Sequence, residues 1–339
     1  MNITRRNFGQ AAIGTAVAST GFNGSVFAQG AATFKMRLGT PFPVAHPAAI
    51  RMAESCEAIK KETGGKVDIQ VFPNNQLGGE TDMESQLRSG ALEFMTASGA
   101  TLQTVVPVAG INGIPFAFKD YSQVWAAMDG DLGAHIRAQI AQVGIYTFEK
   151  SLDNGYRNIT TSTKQINTIA DLKGLKIRVP PSPLWVAMFR ALGASPTSIN
   201  LNELYSALQT KIVDGQENPL VQIDTVKLYE VQKFCAMTGH VWDGNWILAN
   251  SKKWAALPSD VQKIISSHFE SAAIKQREDV ARLNKDLEAA LKQKGLIFNY
   301  PEKDQFRDAL VKAGFYAESK KKYGAEPWAK LEKYAGTLG

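Results

Sequence analysis

The sequence predicts an α/β protein built as two lobes. Three observations carry this: a length of 339 residues, which at roughly 150 residues per domain suggests about two; strand and helix patterns that alternate in both halves; and one long helical pattern near the C-terminus. The composition allows real cores, with 44% hydrophobic and 21% charged residues, a balance that excludes disordered and fibrous classes.

The first 28 residues read as an export signal. Thr4, Arg5, Arg6, Asn7 and Phe8 form a basic head, a small apolar run extends from Ala11 to Ala18, and Val26, Phe27 and Ala28 supply a small-residue end, so cleavage is expected after Ala28. The paired arginines resemble a twin-arginine signal, although Gln10 stands where that pattern usually has Lys.

After this segment, alternation predicts a strand at 34–38, then a helix at 47–63 ended by Gly64 and Gly65. Val67, Ile69 and Val71 share one face of a second strand; a helix over 80–89, a strand over 94–96, a long helix over 122–143 and a strand over 145–148 follow. The second half repeats the rhythm: strand 175–179, helix 182–192, a short strand near Pro196, helix 203–210 and strand 233–237. This is the βαβ order of a parallel sheet with helices on its faces. From Pro258 to Lys294 the pattern stays helical, with Val280, Leu283, Leu287 and Leu291 in one stripe. Such a helix would be roughly 50 Å long and should bridge both lobes.

The formal charge is +6; without Arg5 and Arg6 the balance is 36 basic to 32 acidic residues, or +4. Basic residues alternate with acidic neighbours, as in Glu278, Arg282, Lys285 and Glu288, so no stripe for nucleic acid is present. No metal is expected, because His46, His135, His240 and His268 are isolated and no acidic loop has ligand spacing. Cys56 and Cys235 lack CxxC spacing and are read as two buried free thiols rather than a redox pair. No GxSxG, HExxH, GxxxxGK[ST] or GxGxxG signature occurs, and neither a catalytic residue nor a cofactor is assigned.

Arg178 is the informative residue. Leu175, Ile177 and Val179 share one strand face while Lys176 and Arg178 share the other, and Pro180 and Pro181 end the strand. A guanidinium is thereby placed at the carboxyl end of a strand in an open α/β sheet, the edge where ligands bind. Its planar fork matches a carboxylate, and it stays charged at working pH. A surface pairing with a nearby acid is the competing account. Asp214 to Pro219 reads as a turn, with Asn218 either capping a helix that begins at Pro219 or offering its amide to a ligand oxygen.

These residues carry a resemblance. Asn154-Gly155-Tyr156-Arg157, the run DLKGLKIRVP over 171–180, YSALQTKIVDGQENP over 205–219, TGGKVDIQVFPNNQLGGE over 63–80 and IPFAF over 114–118 together resemble the solute-binding proteins of tripartite ATP-independent periplasmic (TRAP) transporters, the DctP-like family. The resemblance implies a periplasmic monomer with two hinged lobes that closes on an organic acid and hands it to membrane permease subunits. On the matching positions, Arg178 corresponds to the family's carboxylate-binding arginine, Arg157 to a second ligand-facing arginine and Asn218 to the asparagine beside the carboxylate. Glu80, His46, Asn154 and Trp242 stand where relatives line the cleft. Each of these four has a structural alternative: His46 as a helix entry, Glu80 as a first-turn acid, Asn154 as a turn residue and Trp242 as core. The resemblance places lobe I at 29–155 plus 245–280 and lobe II at 156–244 plus 281–339. Glu80 and Asp243, if they face the cleft, would repel a second carboxylate, which favours a hydroxylated sugar acid such as a uronate or aldonate. A C4-dicarboxylate, an aromatic or keto acid, a sensor role, and an exported enzyme using His46 and Glu80 as base and acid are the alternatives.

Overall fold

The computed structural model describes residues 33–339. The signal segment and its cleavage point lie outside the described residues. Ten strands form one continuous sheet: β1 (Phe34–Gly39), β2 (Val67–Phe72), β3 (Phe94–Ser98), β4 (Ile145–Thr147), β5 (Leu152–Thr161), β6 (Lys176–Val179), β7 (Ser195–Ser198), β8 (Gly215–Asn218), β9 (Phe234–Asn250) and β10 (Ile297–Asn299). The order is β2-β1-β3-β9-β5-β8-β6-β7, with β4 and β10 also paired to β9.

The βαβ rhythm produces parallel pairs at both ends of this order, β1 with β2 and β3, and β6 with β7 and β8. The middle departs from the parallel expectation. β9 pairs antiparallel with β3, β4 and β5, and β5 pairs antiparallel with β8. Two long strands therefore run through from one half of the molecule to the other and weld two parallel units into one sheet. Their mutual ladder shifts register between Asp153 and Gly155 and again between Arg157 and Ile159. At the second shift Met237 to His240 bulge out of β9, and Gly239 there takes φ +51°, a left-handed backbone that glycine adopts without strain.

Both long predicted helices are broken. The 122–143 pattern forms Tyr121–Met128 and Asp131–Ala141. Between them, a Cβ on Gly130 would sit 2.3 Å from the Ala126 carbonyl oxygen and 2.6 Å from the Tyr334 hydroxyl, so the chain turns on the one residue that fits. The 258–294 pattern forms Ser259–Leu283 and Leu287–Gln293. The first, 25 residues and so about 38 Å, packs Val261, Ile265, Phe269 and Ala273 into the core around Phe94, Phe148 and Trp254. The second places Leu287 and Leu291 in a different core with Leu204, Leu208 and Ile223. Leu283 is 40% exposed, so the apolar stripe is interrupted where the two cores meet. The bridge is thus a helix pair with a turn at 284–286. Gln276 ties the long helix to β5, accepting from the Asp153 N–H and donating to the Asp153 carbonyl, both at 2.7 Å.

Helices at Lys303–Lys312, Phe315–Tyr323 and Ala325–Ala335 complete the chain. Cys56 and Cys235 are buried and free, in separate cores. Among the described residues no helix is long and apolar enough to cross a membrane, and no group of three or more His, Cys, Asp or Glu side chains could hold a metal ion.

Candidate functional site

The carboxyl ends of β1, β3, β6 and β8 converge on a small cavity whose remaining wall comes from the middle of β5 and β9 and from Glu80, Leu201 and Gln222. Pro41 and Phe42 enter from beyond β1, Ser98 from the end of β3, Arg178 and Pro180 from β6, and Asn218 from β8. The two parallel sets run in opposite directions, because β3, β9, β5 and β8 are antiparallel in turn, so each set points its carboxyl ends at the other; carboxyl ends of parallel strands are where ligands gather in open α/β sheets.

Arg178 is 1% exposed. Its Nε donates to the Ile199 carbonyl at 2.8 Å, and neither Nη group donates to a protein acceptor among the described residues. It belongs to no ion pair of the described residues. Burial, and next the neighbouring Arg157, push its pKa down to about 10, against the opposing pull of Glu217 and Glu80. A guanidinium held in this way is unfavourable unless an anion meets it.

Arg157 differs from it. Nε donates to Glu217 Oε2, Nη2 to Glu217 Oε1 (2.9 Å), the Glu217 carbonyl (2.6 Å) and Asn218 Oδ1 (2.9 Å), and Nη1 to Asp243 Oδ2 (2.8 Å). The guanidinium also stacks 4.6 Å from the Trp185 ring. Burial alone would lower its pKa, but Glu217 and Asp243 more than offset that. Arg157 lines the cavity with its charge already matched by two carboxylates.

Glu80 opens the helix Glu80–Ser89 and lines the cavity, making no side-chain hydrogen bond to another described residue. Burial raises its pKa to about 7, with Arg178 pulling the other way. Asp243 is held by Ser98 Oγ (2.6 Å), Asn154 Nδ2 (3.0 Å) and Arg157. Asn154 also donates to Gln222 at 3.1 Å, while its buried Oδ1 has no partner. Glu217 is fully buried and kept ionised chiefly by Arg157, with His240 Nε2 at 3.3 Å.

Of the residues singled out in the sequence, Arg178, Arg157, Asn218, Glu80 and Asn154 come together here. Two do not line the cavity. His46 caps the helix Pro47–Glu62, its Nδ1 accepting from Ala48 N at 3.2 Å, and stacks on Phe42 at 4.0 Å; burial lowers its pKa to about 3. Trp242 donates to Asp153 Oδ1 at 2.9 Å and packs edge-on against Trp125 and Phe118, a core position. The N-cap account of Asn218 is corrected: it ends β8, pairs with Asn158 of β5, and Pro219 takes the cap position of the helix Leu220–Thr225.

Sequence reasoning missed Asn245, Ser98, Gln222, Glu217 and Phe42, and reached Asp243 only conditionally. Asp243 and Asn245 share a face at strand spacing within HVWDGNW, a signal hidden because β9 carries a bulge and its other face bears Trp242 and Trp246.

The family model of bacterial extracellular solute-binding protein, family 7 (DctP) matches residues 39–319. An uncharacterized protein of Sinorhizobium fredii is 34% identical over 247 residues, covering 71% of this chain and 46% of that one. The sialic acid-binding periplasmic protein SiaP of Vibrio cholerae is 32% identical over 254 residues, covering 75% of this chain and 79% of SiaP. The crystal structure of a TRAP periplasmic solute-binding protein from Roseobacter denitrificans with bound β-D-glucuronate superposes with a TM-score of 0.84 at 28% identity, covering 89% of this chain and 99% of the other. A buried arginine fork facing a cavity between strands is therefore found in a chain that belongs to the DctP family: it is a TRAP periplasmic solute-binding protein, a non-enzymatic binder of small organic acids.

Proposed function

We propose that this protein captures a hydroxylated monocarboxylic acid, a sugar acid of the uronate or aldonate kind, and delivers it to TRAP membrane permease subunits. The reading includes export as a periplasmic monomer after cleavage at Ala28, with the lobes divided as 29–155 plus 245–280 and 156–244 plus 281–339.

The observation that carries it is the contrast between the two arginines. Arg157 is matched by Glu217 and Asp243, whereas the Arg178 fork meets no anion among the described residues. One carboxylate has one partner waiting. A second carboxylate would meet Glu80 and Asp243, and like charges in a desolvated site repel strongly. Hydroxyl groups suit the remaining wall, because Glu80 and Asn154 Oδ1 accept and Asn245 can do both. The C4-dicarboxylate alternative is disfavoured on the same ground. In this assignment Arg178 binds the carboxylate, Asn218 and Asn154 position its surroundings, Glu80 reads hydroxyls, and Arg157 organises the acids rather than gripping a second carboxylate. His46 and Trp242 support the site from outside its lining.

The test is a thermal-shift series with D-glucuronate, D-galacturonate, D-erythronate and succinate. A ligand at 100 times its dissociation constant adds about 2.7 kcal/mol, worth several degrees in a protein of this size. A shift from a hydroxylated monoacid with none from succinate is expected. A shift from succinate alone refutes the ligand class.

A further inference from the structure

Behind the same two crossing strands lies a second, broader groove, open to solvent. Side chains alternate across a strand, so while Arg157 faces the organic-acid cavity, Tyr156 and Asn158 face the opposite side and form part of this groove's floor. The β9 bulge completes the floor with Met237 and Gly239, and Gly239 N donates to Asn158 Oδ1 at 3.0 Å. One wall is the segment Phe116 to Lys119; the other is the segment Tyr300 to Arg307 leading into and through the helix Lys303–Lys312.

The lining combines apolar surface with excess positive charge. Phe116, Phe118 and Met237 give it an apolar body. Lys119, Lys303 and Arg307 outnumber the one acid of the lining, Asp304. Arg307 lies 3.7 Å from both Asp304 and Asp308, but Lys119 and Lys303 pair with no carboxylate among the described residues. The Lys303 ammonium is directed at the floor: a Cβ on Gly239 would stand 3.0 Å from Nζ. Phe116 adopts φ +55°, a strained backbone for an aromatic residue, and its N–H donates to the His240 carbonyl at 2.8 Å, so the bulge holds the strained wall in place. His240, in the same bulge, contacts Glu217, the partner of Arg157 in the wall of the first cavity.

We propose that this groove is a second ligand site, for a small amphipathic anion: a flat apolar body lying on Phe116, Phe118 and Met237, with one acidic group meeting the Lys119 and Lys303 ammonium groups. Lysines are suited to such an acid as point charges on flexible stems, without the geometric demand of an arginine fork. The proposal is independent of which acid occupies the first cavity.

The test uses 2-naphthoate and its neutral amide as probes, titrated by fluorescence and by calorimetry into the full chain. Naphthoate is expected to bind in the micromolar to submillimolar range, at least tenfold tighter than the amide. The double variant Lys119→Glu/Lys303→Glu, confined to exposed side chains, should weaken naphthoate tenfold or more at unchanged melting temperature. Arg178→Met, which removes the carboxylate partner of the first cavity, should leave naphthoate binding intact. Absence of naphthoate binding up to millimolar concentration, equal affinity for the amide, indifference to the double lysine reversal, or loss of binding on Arg178→Met overturns the proposal. Loss on Arg178→Met would assign the probe to the first cavity instead.

Discussion

Replacing each buried arginine by methionine should separate binding from stability. Arg178→Met keeps most of the side-chain volume and removes the charge. If the parent binds its acid near 1 μM, about 8.2 kcal/mol, loss of a desolvated carboxylate partner removes roughly 2 to 5 kcal/mol and moves the dissociation constant to between about 30 μM and several millimolar. The ligand-free protein should respond in the other direction. Burial and Arg157 hold the Arg178 pKa near 10 rather than 12.5, a penalty on the charged form of about 3 kcal/mol at 1.36 kcal/mol per unit. Methionine relieves that penalty and forfeits the Nε bond to the Ile199 carbonyl, worth about 1 kcal/mol. The ligand-free melting temperature should therefore stay level or rise. Arg157→Met should do the opposite, because it strands Glu217 and Asp243, 0% and 2% exposed, without their cation; a loss of roughly 3 to 5 kcal/mol is expected. Isothermal calorimetry and urea denaturation of both variants provide the check. Parent-like affinity in Arg178→Met, or a stability loss there matching that of Arg157→Met, would refute the distinction between an arginine poised for ligand and one built into the frame.

Acidity gives a second prediction. Burial raises Glu80 from 4.5 to about 7, and Asp153 and Glu84 to about 7 and 8. The native state then holds protons that the unfolded chain has released, so this stabilisation is complete only below the unfolded values of 3.8 for Asp153 and 4.5 for the two glutamates and fades as pH rises through 7 to 8. Glu80→Gln should take away its share, about 3 kcal/mol, and flatten the fall in stability between pH 5 and pH 8; superimposable pH profiles of the urea midpoint for parent and variant would contradict this. Thiol chemistry gives a third. Burial pushes both Cys56 and Cys235 well above the usual thiol range, so a chromogenic disulfide reagent should leave the native protein untouched and titrate two thiols in denaturant. Fast labelling of the native chain would place a cysteine outside its core.

Much of the local framework is legible in the chain itself. The alternation through Leu175 to Val179 and the prolines that follow put Arg178 at a strand end, and the structure keeps it there. Patterns of period two and 3.6 are local properties of a chain, so β1, β2 and the helices Pro47–Glu62 and Pro183–Ala191 could be read directly. Strands β5 and β9 could not. Both are buried along most of their length by contacts with both halves of the molecule, and polar residues such as Asn154, Arg157, Asp243 and Asn245 interrupt any apolar alternation. Gly215 to Asn218 looked like a turn because its Gly, Gln, Glu and Asn have turn chemistry, yet pairing to β5 and β6 makes it a strand.

The sequence by itself determined the α/β class, the strand-end position of Arg178 and, through its joined motifs, the family. Tertiary structure alone decided which arginine has a carboxylate partner and which does not. That distinction depends on Glu217 and Asp243, which lie 60 and 86 positions from Arg157 along the chain and reach it only because two long strands carry them across the sheet. Charge matching inside a protein is set by distance and dielectric in space, and neither is encoded in the identity of any single residue.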